Sequence, residues 1–461
     1  MAGRWTRLMH GLRLGLALLL AGPALAGVAQ TPPMGWNSWD AYGLTITEAQ
    51  FKANVERLAA IKSHGWSYAV IDEGWYMADP FGQGLKARGY LLDAYGRLDP
   101  VVSRFPSAAD GHGLRALAAW THARGLKFGI HIVRGIPKAA VEANLPIAGS
   151  RFRAAEAADR AATCPWDDGN YGIADNEAGQ AYYDSLAAQY AEWGVDFLKV
   201  DCIADHPYRP SEIVQIGRAL AKVRRPIVLS LSPGPAGIEH AAEMKRYAQM
   251  WRIMDDLWDG WTFPHPDPKS TFPNGVRNAF DSLALWNAHV GPSSWPDADM
   301  LPFGPLRPHP GWGDPRDSRL TPAETRSAFT LWAIARSPLI LGGDLTGYDR
   351  ATRALLANDA VIALNQQDRV SRPLVLGEMR VWTSRLKGKP VDTVAIFNLS
   401  EKPLALDQRW SSLGLPRGGF AARNLWTGAS LAAAGRLRAV LAPHDVMLLR
   451  VLRDPSTGSP H

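Results

Sequence analysis

The chain has 461 residues and carries 50 Lys and Arg against 44 Asp and Glu, a formal net charge of +6. With 46% apolar and 20% charged residues, the composition is that of a globular protein with a large core, and it excludes a disordered or collagen-like chain. The small basic excess contains no long run of like charges, so we do not expect a nucleic-acid partner. Eighteen tryptophans fit either an aromatic core or a sugar-binding cleft.

The first 26 residues have the pattern of a secretory signal peptide. Arg4, Arg7 and Arg13 precede a short apolar stretch, and residues 24–26 (Ala-Leu-Ala) supply a small-residue cleavage site. The apolar stretch is too short to span about 30 Å of hydrocarbon as a helix. We expect an exported protein, periplasmic or extracellular, with no membrane association after cleavage; an uncleaved anchor is the alternative.

Between residues 30 and 366, short β-like runs alternate with helical patterns. This alternation predicts parallel strands with crossover helices, and eight such units fit a (β/α)8 TIM barrel better than an open sheet. The predicted strands are Met34–Trp39, Tyr68–Trp75, Lys127–Val133, Val195–Asp201, Pro226–Ser232, Gln249–Met254, Ser294–Met300 and Pro338–Gly342. The predicted helices include Ile46–His64, Gly113–Arg124, Gln180–Trp193, Pro210–Val223 and Pro322–Ala335.

A second domain is expected over residues 372–453. Its segments are rich in β-forming residues, are separated by turn residues and show no convincing helical period. They are Met379–Ser384, Thr393–Leu399, Ala421–Leu425 and Arg436–Leu452. The fold class is therefore α/β, a TIM barrel followed by an antiparallel β-sandwich domain.

Cys164 and Cys202 are the two cysteines of the chain. In an oxidising compartment they can form a disulfide, and two buried free thiols are the alternative. Neither belongs to a Cys-x-x-Cys motif or a Cys/His cluster, so we predict no metal site and no other cofactor.

Polar side chains recur at the C-terminal ends of the predicted strands. In a parallel barrel these ends meet on one face, where the active sites of this fold lie. A single Asp there is weak evidence, because Asp is also a common helix N-cap, but the recurrence indicates a site. Several carboxyl groups beside tryptophans fit glycoside hydrolysis, which uses two carboxyl groups; metal-dependent hydrolysis is the rival, although no metal-binding histidine motif occurs. The residues are Asp72, Glu73, His131, Asp201, Ser232, Asp255, Asp256, Asp297 and Asp299.

Seven motifs follow one another in a recognisable order. They are residues 31–40 (TPPMGWNSWD), 71–75 (IDEGW), 197–201 (FLKVD), 251–256 (WRIMDD), 295–301 (WPDADML), 338–344 (PLILGGD) and 362–366 (IALNQ). Together they resemble glycoside hydrolase family 27, the retaining α-galactosidase (melibiase) family, over essentially the whole mature chain. The resemblance implies the same architecture, a (β/α)8 barrel followed by an antiparallel β domain.

The resemblance also implies catalytic roles. Asp201, at the end of the Lys-x-Asp motif, matches the nucleophile of the family, and Asp256, four residues after Arg252, matches its acid/base. Asp255 would point elsewhere if the strand continues regularly, since side chains alternate faces. The family often pairs a cysteine near the nucleophile with one upstream, which favours a Cys164–Cys202 disulfide close to the site.

Substrate-binding roles are implied in the same way. Trp39 would stack on the apolar face of the sugar, although it could instead be a core aromatic. Asp72 would accept hydrogen bonds from hydroxyl groups, and Lys199 and Arg252 would donate them. Arg252 could alternatively be a pure ion-pair partner of Asp256.

Three positions depart from the family pattern. Glu73 stands where α-galactosidases usually carry a second Asp. Its extra methylene reaches toward the space that C6 of galactose needs, so a β-L-arabinopyranoside, which lacks C6, is an alternative substrate. His131 replaces a common tyrosine. Ser232 is small where many members carry a bulkier sequence, so a larger substituent could fit, as in α-N-acetylgalactosaminidases.

The sequence therefore predicts a secreted retaining exo-glycosidase that removes terminal α-D-galactosyl residues from an oligosaccharide or polysaccharide. A β-L-arabinopyranosidase and an α-N-acetylgalactosaminidase are the alternatives within the family. A carbohydrate-binding protein on a degenerate hydrolase scaffold is the non-enzymatic alternative. The oligomeric state is left open.

Overall fold

The computed structural model describes residues 27–454 except 83–87, 266, 268–270 and 308–312. The predicted signal peptide, residues 1–26, lies outside the described residues. Among the residues described, no helix is long and apolar enough to cross a membrane.

Eight parallel strands form one curled sheet, which confirms the predicted barrel. The sheet order is β7-β6-β5-β4-β3-β2-β1-β8, and all seven neighbouring pairs are parallel. The strands are β1 (Met34–Asn37), β2 (Tyr68–Ile71), β3 (Lys127–Val133), β4 (Phe197–Asp201), β5 (Val228–Leu231), β6 (Met250–Arg252), β7 (Trp295–Asp297) and β8 (Leu339–Leu341).

The residues after β7 close the barrel. The Leu301 N–H donates to the Ile340 carbonyl at 2.7 Å, and the Gly342 N–H donates to the Leu301 carbonyl at 2.9 Å. These two bonds join the ends of the sheet beside β8, so the ring is completed by the loop that also carries Asp299.

Helices connect the strands and cover the barrel. The helix Pro322–Ala335 has the predicted bounds, the other predicted helices are present with shorter or shifted ends, and several short helices lie between them. The described helices are Trp39–Tyr42, Glu48–Ala59, Arg115–His122, Lys138–Glu142, Ala154–Ala157, Glu177–Trp193, Pro210–Lys222, Ala241–Tyr247, Val276–Trp286, Pro322–Ala335, Arg350–Leu356 and Asp359–Gln366.

Several strands end earlier than predicted, so some of the site residues lie in the turns that follow the strands and not on the strands themselves. β1 ends at Asn37, so that Trp39 opens a helical turn instead of ending the strand. β2 ends at Ile71, because the following residues turn through Gly74, whose φ of 97° lies in the left-handed region.

The barrel interior changes from apolar to charged along the strands. On β4, the side chains of Phe197, Lys199 and Asp201 share one face because side chains alternate in a strand. Phe197 belongs to an apolar cluster with Tyr68, Val228, Met250 and Trp295, whereas Asp201 lines a cavity at the other end. The apolar cluster thus fills the N-terminal end of the barrel, and the charged residues lie toward the C-terminal end.

The C-terminal domain is antiparallel, as predicted. Its larger sheet has the order β9-β10-β11-β16-β13-β14, and β12 pairs with β15. The predicted run Arg436–Leu452 is two strands rather than one, because the chain turns at residues 442–445. The strands are β9 (Arg369–Leu376), β10 (Met379–Leu386), β11 (Thr393–Asn398), β12 (Leu404–Arg409), β13 (Phe420–Asn424), β14 (Ser430–Ala434), β15 (Arg436–Leu441) and β16 (Val446–Arg453).

A polar junction fixes this domain to the helix Pro322–Ala335. Arg326 makes a bidentate ion pair with Asp445, both contacts being 2.9 Å. The His444 ring stacks on Trp261 at 4.3 Å, and its Nδ1 lies 2.7 Å from Glu324 Oε1. The other oxygen of Glu324 accepts the Thr321 N–H in the capping box that begins the helix.

Gly342 follows β8 and makes room for a buried carboxyl group. A Cβ at this position would lie 1.8 Å from Asp40 Oδ2. Burial, with the nearby charges of Asp299 and Asp256, raises the pKa of Asp40 well above its usual value. Asp40 can therefore keep its place beside Trp39 only because Gly342 has no side chain.

We expect Gly342→Ala to lower the free energy of unfolding by about 1–3 kcal/mol, because overpacking displaces a buried group. Gly291→Ala is the matched control, since no atom lies within 4 Å of its added Cβ, and it should change stability by less than about 0.5 kcal/mol. Urea unfolding of both variants measures the difference. Equal stability of the two variants would contradict tight packing at Asp40.

Candidate active site

A cavity of about 440 Å³ opens at the C-terminal end of the barrel. Its lining brings together most of the predicted site residues: Trp39, Asp72, Glu73, His131, Lys199, Asp201, Ser232 and Asp256. It also contains residues that the sequence did not single out: Leu44, Arg88, Trp166, His206, Pro233, Thr271, Phe272 and Met300. A larger cavity of about 560 Å³, lined in part by Arg326, Asp349 and Trp426, contains none of the predicted site residues.

Lys199 and Asp72 form a buried ion pair at the base of the cavity. Lys199 Nζ donates to Asp72 Oδ2 at 2.8 Å, and Asn37 Nδ2 donates to the same oxygen at 2.7 Å. Burial opposes both charges, but Lys199, His131 and the hydrogen bonds to Asp72 together outweigh it and lower the pKa of Asp72. Likewise, burial is outweighed by Asp72 and Asp201, which raise the pKa of Lys199. Both groups are therefore charged at neutral pH.

Asp201 ends β4 two residues after Lys199, on the same face of the strand. Burial opposes its charge, but His131 and Lys199 outweigh that effect and hold the pKa of Asp201 well below its usual value. His131 Nε2 lies 3.9 Å from Asp201 Oδ2 and 4.0 Å from Asp72 Oδ1. Both distances exceed ordinary hydrogen-bond length, so His131 stands beside the two carboxyl groups without a direct hydrogen bond to either. Asp201 is ionised and partly exposed to the cavity.

Arg252 lies beneath Asp256 and is not among the residues that line the cavity. Its guanidinium donates to Asp256 Oδ1 at 3.1 Å and contacts Asp299 Oδ1 at 2.9 Å. The side chain of Arg252 is 3% exposed and that of Asp256 is 29% exposed. The structure thus shows the ion-pair arrangement that the sequence left open as the alternative to a direct sugar contact.

Asp255 also lines the cavity, so the expectation that it points elsewhere is wrong. Strand β6 ends at Arg252, and the regular alternation of side chains ends with it. Asp255 accepts a short hydrogen bond from the Thr271 hydroxyl, whereas Asp256 is bound by Arg252. The two neighbours are therefore held by different partners.

Glu73 forms part of the wall beside Asp72. Burial, together with the nearby charges of Asp167, Asp201 and Asp72, raises the pKa of Glu73 well above its usual value. Ser232 is buried at the end of β5 and lines the cavity between Asp201 and the loop after β6.

A disulfide between Cys164 and Cys202 confirms the predicted pairing. It ties the loop that follows the short strand Ala158–Thr163 to the residue after Asp201. Trp166, two residues beyond Cys164, donates its indole N–H to Asp201 Oδ2 at 3.1 Å. The pairing itself was the available signal for Trp166, since a cysteine bonded beside the nucleophile brings its neighbours to the same place.

Family models match both parts of the chain. The model described as alpha galactosidase A matches residues 165–367, and the alpha galactosidase C-terminal beta sandwich domain matches residues 376–451. The crystal structure of a GH27 β-L-arabinopyranosidase from Geobacillus stearothermophilus is 40% identical with a TM-score of 0.86, covering 94% of this chain and 98% of that one. The chain belongs to glycoside hydrolase family 27. It is therefore a glycoside hydrolase, and the non-enzymatic alternative is set aside.

Other similar proteins are named for different activities. An alpha-galactosidase from Oryza sativa is 28% identical, with 91% of this chain and 84% of that protein covered. Alpha-galactosidase A from Cellvibrio japonicus is 27% identical, with 96% and 98% covered. The structure of a putative alpha-N-acetylgalactosaminidase from Bacillus halodurans is 37% identical with a TM-score of 0.80, covering 92% and 98%. The sugars in these names differ.

Asp297 and Asp299 surround Arg252 together with Asp256. Burial, partly offset by Arg252, raises the pKa of Asp297 to about 7 and that of Asp299 to about 6. The folded-state pKa of Asp297 lies above the unfolded value of about 3.9. Its stabilising contribution is therefore present below pH 4 and is lost as the pH rises through 7.

We expect Asp297→Asn to remove this pH dependence, since an asparagine oxygen can still accept the Asp299 N–H. Between pH 5 and pH 8, the free energy of unfolding should fall by about 2 kcal/mol more in the wild type than in the variant. Urea unfolding at the two pH values measures the fall. The control variant Asp175→Asn, at an exposed position, should show the same fall as the wild type. An equal fall in Asp297→Asn and the wild type would contradict a raised pKa of Asp297.

Proposed function

We propose that this protein is a retaining exo-glycosidase that removes terminal α-D-galactosyl residues, with Asp201 as nucleophile and Asp256 as acid/base. The observation that carries the proposal is the shared cavity: both carboxyl groups line one pocket with Trp39, although Asp201 ends β4 and Asp256 lies in the loop after β6. A retaining mechanism needs one ionised carboxylate to attack the anomeric carbon and one carboxylic acid to protonate the leaving group.

The surroundings of Asp201 suit a nucleophile. His131 and Lys199 keep it ionised, and it faces the cavity at the end of β4. In the first step, an Asp201 oxygen forms a covalent bond to the anomeric carbon as the bond to the leaving oxygen breaks. The product is a glycosyl-enzyme.

Asp256 lines the cavity and shares its ion-pair partner with another acid. Arg252 contacts both Asp256 and Asp299, and Asp256 is the more exposed member of the Arg252–Asp256 pair. Asp256 gives its proton to the leaving oxygen in the first step and takes a proton from water in the second, which restores both groups and retains the anomeric configuration.

The other lining residues fit a galacto-configured sugar. Trp39 offers an apolar face, and the ionised Asp72 offers oxygens that accept from hydroxyl groups. A second candidate substrate is a β-L-arabinopyranoside, which has the galactose configuration without C6. The longer side chain of Glu73 in the cavity wall favours it, as does the 40% identity to a β-L-arabinopyranosidase.

We also propose that the protein works outside the cytoplasm after removal of residues 1–26. The charge and hydropathy pattern of that segment supports export, and the Cys164–Cys202 disulfide is typical of an oxidising compartment.

We expect Asp201→Asn to lower kcat/KM by at least about 10³-fold on the nitrophenyl glycoside that the wild type hydrolyses best, because the covalent step loses its nucleophile. The α-D-galactoside, the β-L-arabinopyranoside and the N-acetyl-α-D-galactosaminide form the panel of substrates, and the ratio of their kcat/KM values identifies the sugar.

A mechanism-based fluorosugar with a fluoride leaving group checks the assignment in the same preparation. Peptide mass mapping should find the label on Asp201 in the wild type and in Asp256→Asn, since this leaving group needs little acid assistance. Asp255→Asn is the matched control for Asp256→Asn and should retain more activity. A label on any other carboxyl group would overturn the role of Asp201.

We expect Glu73→Asp to shift the preference toward the hexose, because the shorter side chain opens space for the galactose hydroxymethyl group. The ratio of kcat/KM for the α-D-galactoside to that for the β-L-arabinopyranoside should rise at least about tenfold, the effect of roughly one methylene in a pocket. Exposed Glu142→Asp should leave the ratio unchanged. A fall in the ratio would show that Glu73 does not limit the space at C6.

A further inference from the structure

The loop that carries Trp166 is held beside the nucleophile by two separate contacts. The disulfide joins Cys164 to Cys202, the residue directly after the nucleophile, and both halves of the disulfide are buried. Arg134 bridges the same two segments, since its guanidinium donates to the Cys202 carbonyl at 2.6 Å and to the Thr163 carbonyl at 3.1 Å. The fold therefore places the Trp166 loop beside the site before any sugar binds.

The Trp166 indole contacts one particular oxygen of Asp201. Its N–H donates to Asp201 Oδ2 at 3.1 Å. His131 Nε2 lies 3.9 Å from the same oxygen, beyond ordinary hydrogen-bond length, and Lys199 donates to Asp72 instead. Trp166 thus supplies a direct hydrogen bond to Oδ2 that these two basic side chains do not.

Burial distinguishes the two oxygens of Asp201. The side chain as a whole is 14% exposed, but its Oδ1 atom is buried. Oδ2 is therefore the oxygen that can face the cavity and attack the anomeric carbon. Trp166 lines the same cavity, and its ring is 42% exposed. The indole N–H consequently donates to the reacting oxygen of the nucleophile.

A hydrogen bond to the reacting oxygen affects the two chemical steps differently. Hydrogen bonds to a charged acceptor are roughly twice as strong as those between neutral groups, so the donor stabilises a carboxylate more than an ester oxygen. Asp201 is a carboxylate before the first step and after the second, and it is an ester in the glycosyl-enzyme. The indole N–H therefore favours the second step, which restores the carboxylate.

We propose that Trp166 is a catalytic residue of the second step, in which it stabilises Asp201 as the leaving group. Water attacks the anomeric carbon, the bond from that carbon to Oδ2 breaks, and its electron pair returns to Oδ2, to which the indole N–H donates. The proton of the water passes to Asp256, which acts as the base. This inference rests on the proposed glycosidase function and refines it by naming the attacking oxygen and its donor.

Trp166→Phe removes the N–H but keeps an aromatic ring beside His206, whose ring Trp166 meets edge to face at 5.8 Å. The test substrate is the glycosyl fluoride of the sugar that the wild type hydrolyses best. We expect kcat to fall at least about fivefold, which is part of the effect of a hydrogen bond to a charged group. Because the glycosyl-enzyme accumulates, KM should fall by a similar factor, and kcat/KM should stay within about threefold of the wild-type value.

Two further measurements isolate the second step. Enzyme labelled by the mechanism-based fluorosugar should regain activity at least about fivefold more slowly in Trp166→Phe than in the wild type. The burst of fluoride release from the glycosyl fluoride counts the working sites, so a loss of folded protein cannot imitate a lower kcat.

Trp120→Phe is the matched control. Trp120 is half-buried beneath the guanidinium of Arg124, at 3.4 Å from its ring centroid, and it is not among the residues that line the cavity. This variant should keep the wild-type kcat, KM and rate of reactivation.

In an active wild type, two results would overturn the role of Trp166 alone. One is an equal fall of kcat and kcat/KM in Trp166→Phe with an unchanged rate of reactivation, which is the behaviour of a merely structural residue. The other is the same split between kcat and kcat/KM in Trp120→Phe. If the wild type neither hydrolyses a glycoside nor takes the label, the proposed function fails, and this role of Trp166 fails with it.

Discussion

The charged layer of the barrel depends on one buried ammonium group. Lys199 lies inside the barrel and donates to Asp72, and against the effect of burial it lowers the pKa of both Asp72 and Asp201 together with His131. Unpaired buried charges cost several kcal/mol, so the group is stable only while strand register holds it together. The pairing of His131 with Lys199 across β3 and β4 fixes that register.

A second cation organises the opposite side of the site. Arg252 binds Asp256 and Asp299 beneath the cavity floor, in a separate group from that of Lys199. Of the two carboxyl groups proposed for catalysis, Asp201 therefore lies near Lys199 and Asp256 pairs with Arg252. Retaining glycosidases need two carboxyl groups in different roles, and the two groups here have different surroundings.

Much of this architecture could be predicted from the sequence because it rests on local patterns. Eight apolar runs and the helices between them predict the barrel, and the acidic residues at strand ends predict which face carries the site. The motif match brought Asp201, Asp256 and Trp39 together. Strand ends were less predictable: β6 stops at Arg252, so the alternation argument for Asp255 failed.

Contacts made by loops were harder to predict from the sequence. Trp166 lies in a segment without periodicity, and the signal for its place beside Asp201 is the disulfide between Cys164 and Cys202. The burial of Arg252 likewise depends on how the barrel packs rather than on the residue type. Site residues at the strand ends or just after them were therefore found, whereas Trp166, on a loop tied by the disulfide, was missed.

Glu324 joins two structural tasks in one side chain. One of its oxygens starts the helix Pro322–Ala335, and the other holds His444 of the C-terminal domain. Folding of that helix and attachment of the β domain are consequently coupled events, so transplanting a different sandwich onto this barrel would require an equivalent partner for the same carboxylate. An exchange that ignored it would loosen the first turn of a helix whose far end leads directly into β8.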